Sequence, residues 1–110
     1  AWMQAQLRNN LGQAAQYAAT AVKLAPDNVA YRDTLGWVHR AQKQLPEAET
    51  VLEKAATMQP PLADVQYHLG VVYAEQSKND LARTAFEKAL EIDPKHAEAK
   101  AALSRLASGS

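Results

Sequence analysis

Residues 63–96 read ADVQYHLGVVYAEQSKNDLARTAFEKALEIDPKH, and residues 29–62 read VAYRDTLGWVHRAQKQLPEAETVLEKAATMQPPL. Laid over one another, the two stretches superpose Leu35-Gly36 on Leu69-Gly70, Ala48 on Ala82, Leu52 on Phe86 and Glu53-Lys54-Ala55 on Glu87-Lys88-Ala89. Pro26, Pro60 and Pro94 keep the same spacing of 34 residues. A period of this length marks one supersecondary unit that buries its apolar face against its neighbours. The apolar positions recur at helical spacing, so each unit requires two helices. They are predicted near residues 28–42 and 46–58 in the first unit, and near 62–76 and 80–92 in the second. Gly36 and Gly70 allow the paired helices to approach closely, which offsets the roughly 1 kcal/mol that glycine costs inside a helix. Ala48, Ala55, Ala82 and Ala89 do the same from the facing helix, and Leu35, Leu52, Leu69, Tyr73 and Phe86 are predicted to fill the space between. The prolines end each unit by removing a backbone donor and disfavouring helix in the residue before them.

Upstream, Ala14, Ala21 and Leu24 correspond to Ala48, Ala55 and Met58, so Asn10 to Ala25 is predicted as the second helix of an earlier hairpin. Residues 1–8 then form a clipped first helix, with a turn at Arg8-Asn9-Asn10. Ser77-Lys78-Asn79 is predicted as the turn of the second full unit, with Asp80 capping the next helix through its carboxylate. Lys95 to Ala107 continues as one amphipathic helix with Ala99, Leu103 and Leu106 inward, the terminal cap that stacked repeats require. The expected organisation is a single domain over 1–110: a truncated repeat at 1–28, full repeats at 29–62 and 63–96, a capping helix at 97–107 and a flexible end at 108–110.

Lys and Arg number 12 and Asp and Glu number 12, so no net field draws in nucleic acid or anionic lipid. There is no cysteine, which removes disulfides and thiolate metal sites. The apolar runs are only a few residues long, so no membrane insertion is expected, and any targeting signal is expected to lie outside this piece. His39, His68 and His96 do not form a pair on one helical turn, which disfavours a metal site. His39 is expected to replace a core aromatic, His68 to sit at a hairpin edge and His96 to begin the last helix. Glu47, Glu49, Glu53, Glu87 and Glu91 are placed mostly on a solvated convex face, with Arg83 and Glu87 spaced to pair weakly. No phosphate loop or nucleophile elbow occurs, so no enzyme activity, catalytic residue or cofactor is expected.

Leu35-Gly36, His39, Ala48, Leu52, Ala55 and Pro60, followed by Leu69-Gly70, Tyr73, Ala82, Phe86, Ala89 and Pro94, resemble the tetratricopeptide repeat. The second unit matches best. The first has His39 where an aromatic is usual and Leu52 where Tyr or Phe is common. The resemblance implies an all-α fold, a right-handed α-solenoid of antiparallel helical hairpins with about seven helices. It also implies a protein-protein interaction scaffold whose first helices line a concave groove for a peptide or a partner helix. Ala1-Trp2, Asp33-Thr34-Leu35-Gly36-Trp37 and Tyr67-His68-Leu69-Gly70 are further similar to bacterial repeat proteins of exopolysaccharide secretion and envelope protein sorting, which would make the chain a piece of a larger bacterial protein.

Carried onto this sequence, the family geometry puts Trp37, Tyr67, Asp33, Arg40, Val71, Asp64, Glu75 and Trp2 on the concave face as candidate partner-binding residues. Trp37 either faces the groove or packs between adjacent hairpins, and Tyr67 divides the same way. Repeats that grip the acidic tails of heat-shock chaperones use Lys, Asn and Arg where this chain has Asp33, Thr34, Trp37, Asp64 and His68, so such a tail is not the expected partner. A ligand with apolar side chains and one basic group suits these residues better. The alternative is a structural module that forms homo-oligomers through open solenoid ends, where Tyr17, Ala18 and Val22 are left uncovered.

Overall fold

A computed structural model describes residues 2–109, with side chains over residues 11–108. The helices run in the order α1 (Trp2–Leu24), α2 (Val29–Ala41), α3 (Leu45–Ala56), α4 (Ala63–Glu75), α5 (Asn79–Ile92) and α6 (Ala97–Gly109). Among the described residues there is no strand, and no helix is long and apolar enough to cross a membrane. Among the described residues there are six helices, close to the expected seven or so, and α1 passes without a break through Arg8-Asn9-Asn10. That stretch has no proline, and asparagine costs a helix only a few tenths of a kcal/mol.

The two full hairpins end their first helices in the same way. Lys43 and Ser77, one repeat apart, both take the left-handed conformation, with φ of 64° and 63°. The Lys43 N–H donates to the Arg40 carbonyl at 2.8 Å and the Gln44 N–H to His39 at 2.9 Å. The Ser77 N–H donates to Ala74 at 3.0 Å and the Lys78 N–H to Tyr73 at 2.9 Å. These are paired Schellman closures, which occupy the orphan carbonyls of a helix end and reverse the chain.

Helix starts are more varied. Asn28 caps α2 by accepting the Tyr31 N–H at 3.0 Å. Asp80 does not act as the expected cap: the cap residue of α5 is Lys78, whose side chain makes no capping bond to the helix. Asp80 lies within the first turn, where its charge suits the helix dipole, and Arg83 reaches it at 3.9 Å, pairing with Asp80 where Glu87 was expected.

Leu52, Leu69, Val72, Tyr73, Ala82, Ala85, Phe86 and Ala102 share one continuous core with Ala48. A second cluster of Val29, Ala55 and Val65 joins the first full repeat to the next. Leu35 is only half-buried, and so is His39, whose Nδ1 lies 2.8 Å from Gln44 Oε1 at the turn, so His39 does not fill a core aromatic's place. Glu49 is half-buried where a solvated face was expected, and Glu53, though exposed, is also bonded. Glu49 accepts from Gln76 at 2.9 Å and from Lys78 at 2.7 Å, and Glu53 accepts from the Tyr73 hydroxyl at 2.5 Å. Both reach across to the next repeat's hairpin, so polar contacts reinforce the apolar stacking there.

Burial first, and then the bond to Glu53, push the Tyr73 phenol pKa well above its ordinary value near 10. The neutral phenol is therefore favoured by folding. Its contribution is complete below pH ~10 and is lost as pH rises beyond that, when the unfolded chain ionises first. Tyr73→Phe is expected to cost about 1 kcal/mol at neutral pH and to flatten the alkaline decline in urea midpoint. An unchanged alkaline slope in the variant would assign that decline to other groups.

Candidate partner-binding face

Helices α2, α4 and α6 are the first helices of successive units, and each touches the next. Their shared face carries a ladder of polar and aromatic contacts. Between α2 and α4, Asp33 Oδ1 lies 2.7 Å from His68 Nδ1. A carboxylate can only accept, so this ring nitrogen carries the hydrogen. Trp37 stacks on the His68 ring, with centroids 4.0 Å apart and planes at 29°. Arg40 lies over Trp37 at 4.3 Å and grips Glu75 at two points, Nε to Oε1 at 2.7 Å and Nη2 to Oε2 at 2.8 Å. The bond to Glu75 raises the guanidinium pKa further above its ordinary value. At this partial exposure the pair contributes on the order of 1 kcal/mol or less, but it fixes how the two helices lie side by side.

Between α4 and α6 the link is His96, 7% exposed. Its Nδ1 accepts the Ala99 N–H at 3.1 Å and so serves as the cap of α6. The hydrogen must then sit on Nε2, which donates to Asp64 Oδ1 at 2.7 Å. Tyr67 bridges the two histidines, with its ring centroid 5.6 Å from His68 and 5.3 Å from His96, and it also lies 5.9 Å from Phe86.

Six of the residues singled out from the sequence, Asp33, Trp37, Arg40, Asp64, Tyr67 and Glu75, thus meet on one face, largely in contact with one another or with His68 and His96. The carboxylates that were expected to greet a basic ligand already have partners. Trp37 both packs against the next hairpin and keeps part of its surface open. Val71 is placed differently: it lines a cleft of about 280 Å³ between α4 and α6, together with Ala74, Glu75, Phe86, Ala102, Arg105 and Leu106. Trp2 has its side chain outside the described residues. His68 and His96 were the residues undervalued in the sequence. Their signal is register: each lies close to one repeat length after its aspartate, which brings the two side chains to adjacent helices. Among the described residues, no three histidine or acidic side chains converge as a metal site.

A second opening lies between α1 and α2, a slot of about 400 Å³ lined by Ala14, Tyr17, Ala18, Ala21, Tyr31, Thr34 and Val38. One repeat further on, the equivalent walls include Ala48, Leu52, Ala55, Val65 and Val72, all buried, and α2 itself fills the space. Tyr31 is accordingly 43% exposed where its equivalent Val65 is 1% exposed.

Stacked hairpins whose first helices share an open, aromatic-lined face define a helical-repeat scaffold. A tetratricopeptide repeat model matches residues 5–63 and again residues 34–97, and the chain belongs to that family, whose fold is a protein-protein interaction scaffold. Among solved structures, the Arabidopsis OM64 TPR domain is similar at 22% identity over 94% of this chain and 85% of that one, with a TM-score of 0.83. The first TPR of Spaghetti (RPAP3), bound to the HSP90 peptide SRMEEVD, is similar at 16% identity over 96% of this chain and 84% of that one, with a TM-score of 0.86. YrrB, described as a TPR protein with an unusual peptide-binding site, shares 28% identity over 86% of this chain at a TM-score of 0.79, and the chain spans 48% of it. No curated protein sequence matches the chain.

Proposed function

We propose that the chain is a binding module that holds a peptide or a partner's helix against the shared face of α2, α4 and α6. The observation that carries this reading is the cleft at Val71, an apolar hollow left open on a face where Arg40 and Glu75, Asp33 and His68, and Asp64 and His96 are paired with one another. Trp37 and Tyr67 add aromatic surface beside it, of the kind that dominates binding energy at interfaces. The Spaghetti domain holds an acidic chaperone peptide, but here Asp33 and Asp64 stand on the face, and they argue against a tail that presents several carboxylates at once. The fold family and the pairing of the face's carboxylates with Arg40, His68 and His96 favour a scaffold over an enzyme. Selection of a random peptide library on the immobilised chain provides the test. Ligands should emerge that bind the wild-type chain and lose most of their affinity to Ala74→Phe, a variant that fills the cleft and should keep its helicity. A library that yields no ligand, or ligands indifferent to Ala74→Phe, sinks the proposal.

The slot between α1 and α2 favours a second reading, self-association, because a first-type helix fits there by repeat register and Tyr17 is left 73% exposed beside it. Light scattering across a concentration series checks this: a rise in mass that Tyr17→Ser abolishes supports it, and a monomer at every concentration rejects it.

A further inference from the structure

We infer that His96 is a proton-sensitive latch. In its neutral form it holds the start of α6 against α4, and on taking up a second proton it releases the first turn of that helix and loosens one wall of the Val71 cleft. The latch rests on the geometry around the ring, and its consequence for binding rests on the shared face being the binding face.

His96 is the residue from which α6 starts. Its carbonyl accepts the Lys100 N–H at 3.2 Å and its Nδ1 accepts the Ala99 N–H at 3.1 Å, so backbone and side chain both serve the helix end. The same ring reaches α4 through Nε2, which donates to Asp64 at 2.7 Å, and Tyr67 lies against it with centroids 5.3 Å apart. Among the described residues α6 touches only α4 and α5, so it has neighbours on one side alone. It supplies Ala102, Arg105 and Leu106 to the cleft. Arg105 is exposed and, among the described residues, makes no hydrogen bond or ion pair, so the polar tie to α4 falls to His96.

Both ring nitrogens are used, in opposite senses, and only the neutral tautomer with its hydrogen on Nε2 can do this. A second proton turns Nδ1 from an acceptor into a donor aimed at the Ala99 N–H. The new charge also falls in a site 7% exposed, at the positive end of the α6 dipole. Asp64 opposes release by favouring the cation, but its carboxylate is 69% exposed and solvent screens it. Its bond from Nε2 is present in either form. The other charges nearby are Asp93 and Lys95 in the turn after α5, where the Asp93 carboxylate accepts the Lys95 N–H at 3.1 Å, and Glu98 in the first turn of α6. Glu87, Lys88 and Glu91 of α5 are exposed, and among the described residues none of these side chains is bonded to the ring. His68 is the internal contrast: its Nδ1 donates to Asp33 and its ring caps no helix, so a second proton there breaks no backbone bond.

Amide hydrogen exchange on the isotope-labelled chain, corrected for the intrinsic pH dependence of exchange, tests the latch between about pH 7.5 and about pH 5.5, a range that brackets the ordinary histidine value near 6.5. Protection at Ala99, Lys100 and Ala102 is expected to fall about fivefold or more on acidification, the loss of one helix cap, while Leu69 and Val72 of α4 hold theirs. The midpoint should match the titration of the His96 ring signals and not those of His39 or His68. His96→Asn, which supplies a cap oxygen that does not titrate, should remove the response, and His68→Gln should keep it. Constant protection in the wild type, protection that rises in acid because the attraction of Asp64 prevails, a midpoint that follows another histidine, or an equal response in His96→Asn would each overturn the latch. Library-selected ligands that need the open cleft should bind the wild type about threefold or more weakly at the lower pH, and His96→Asn equally at both. Equal affinities in the wild type would reject the link from latch to cleft. The broader reading fails separately: the exchange measurement uses no ligand, so a library that yields none sinks the binding face and leaves the latch to be decided by exchange alone.

Discussion

Phe86→Ala is expected to destabilise the chain by about 3–5 kcal/mol, a large share of the roughly 5–15 kcal/mol that holds a domain of this kind together. Phe86 is 2% exposed, among the largest fully buried side chains, and belongs to the main core with Leu52, Leu69 and Tyr73. Its ring fills the gap that Gly70 leaves between α4 and α5, so truncation opens a cavity facing a residue that has no side chain with which to close it. The α4–α5 hairpin also lies between the α2–α3 hairpin and α6, so loosening it uncouples both neighbours. Urea denaturation followed by far-UV circular dichroism measures the loss. Phe86→Leu, which copies Leu52 of the preceding unit, should cost only about 1 kcal/mol. A loss below ~1 kcal/mol for the alanine variant would mean that the helices slide together and refill the space.

Gly70→Ala is expected to destabilise by about 1–2 kcal/mol, although alanine is the better helix former by about 1 kcal/mol. A Cβ built at Gly70 would lie 2.5 Å from Phe86 Cε1, 2.6 Å from Cδ1 and 2.9 Å from Cζ. The ring is enclosed and cannot swing away, so α4 and α5 would have to separate. Gly12 is the matched control. A Cβ there meets nothing within 4 Å, so Gly12→Ala should gain up to about 1 kcal/mol from helix propensity alone. Combining Gly70→Ala with Phe86→Ala should cost less than the two separately, because the new methyl enters the hole left by the ring. Additive losses in that pair, or a stabilised Gly70→Ala, would place the close approach somewhere other than between Gly70 and Phe86.

The hairpins were legible because the features that create them are local and repeated. Leu69-Gly70 with Phe86 spells a small residue against a large one, and the 34-residue period says that the arrangement recurs. Asp80 was misread because an acidic residue near a helix start satisfies both the capping pattern and the dipole pattern, and only the backbone chooses between them. His39 was misread because a position that holds an aromatic elsewhere in the family can turn to a nearby side chain when one is offered, here Gln44 at the turn. Family register was used to gather the candidate residues, and Asp33, Trp37, Arg40, Asp64, Tyr67 and Glu75 do lie along α2 and α4, but their acids were counted as free charge. Their partners His68 and His96 lie close to one repeat length away, at the next first helix, a register that only becomes a contact when those helices pack side by side.

What the sequence determined by itself was the period, the helical hairpin and the small-on-large packing at Gly36 and Gly70, since each follows from spacing along the chain. What only the tertiary structure decided was the electrostatic character of that face. Asp33 meets His68, Asp64 meets His96 and Arg40 meets Glu75 across distances of 2.7 Å that arise only when three helices from different units lie side by side. That pairing turns a surface that reads as partly acidic into one whose unpaired charge beside the Val71 cleft is the cation of Arg105.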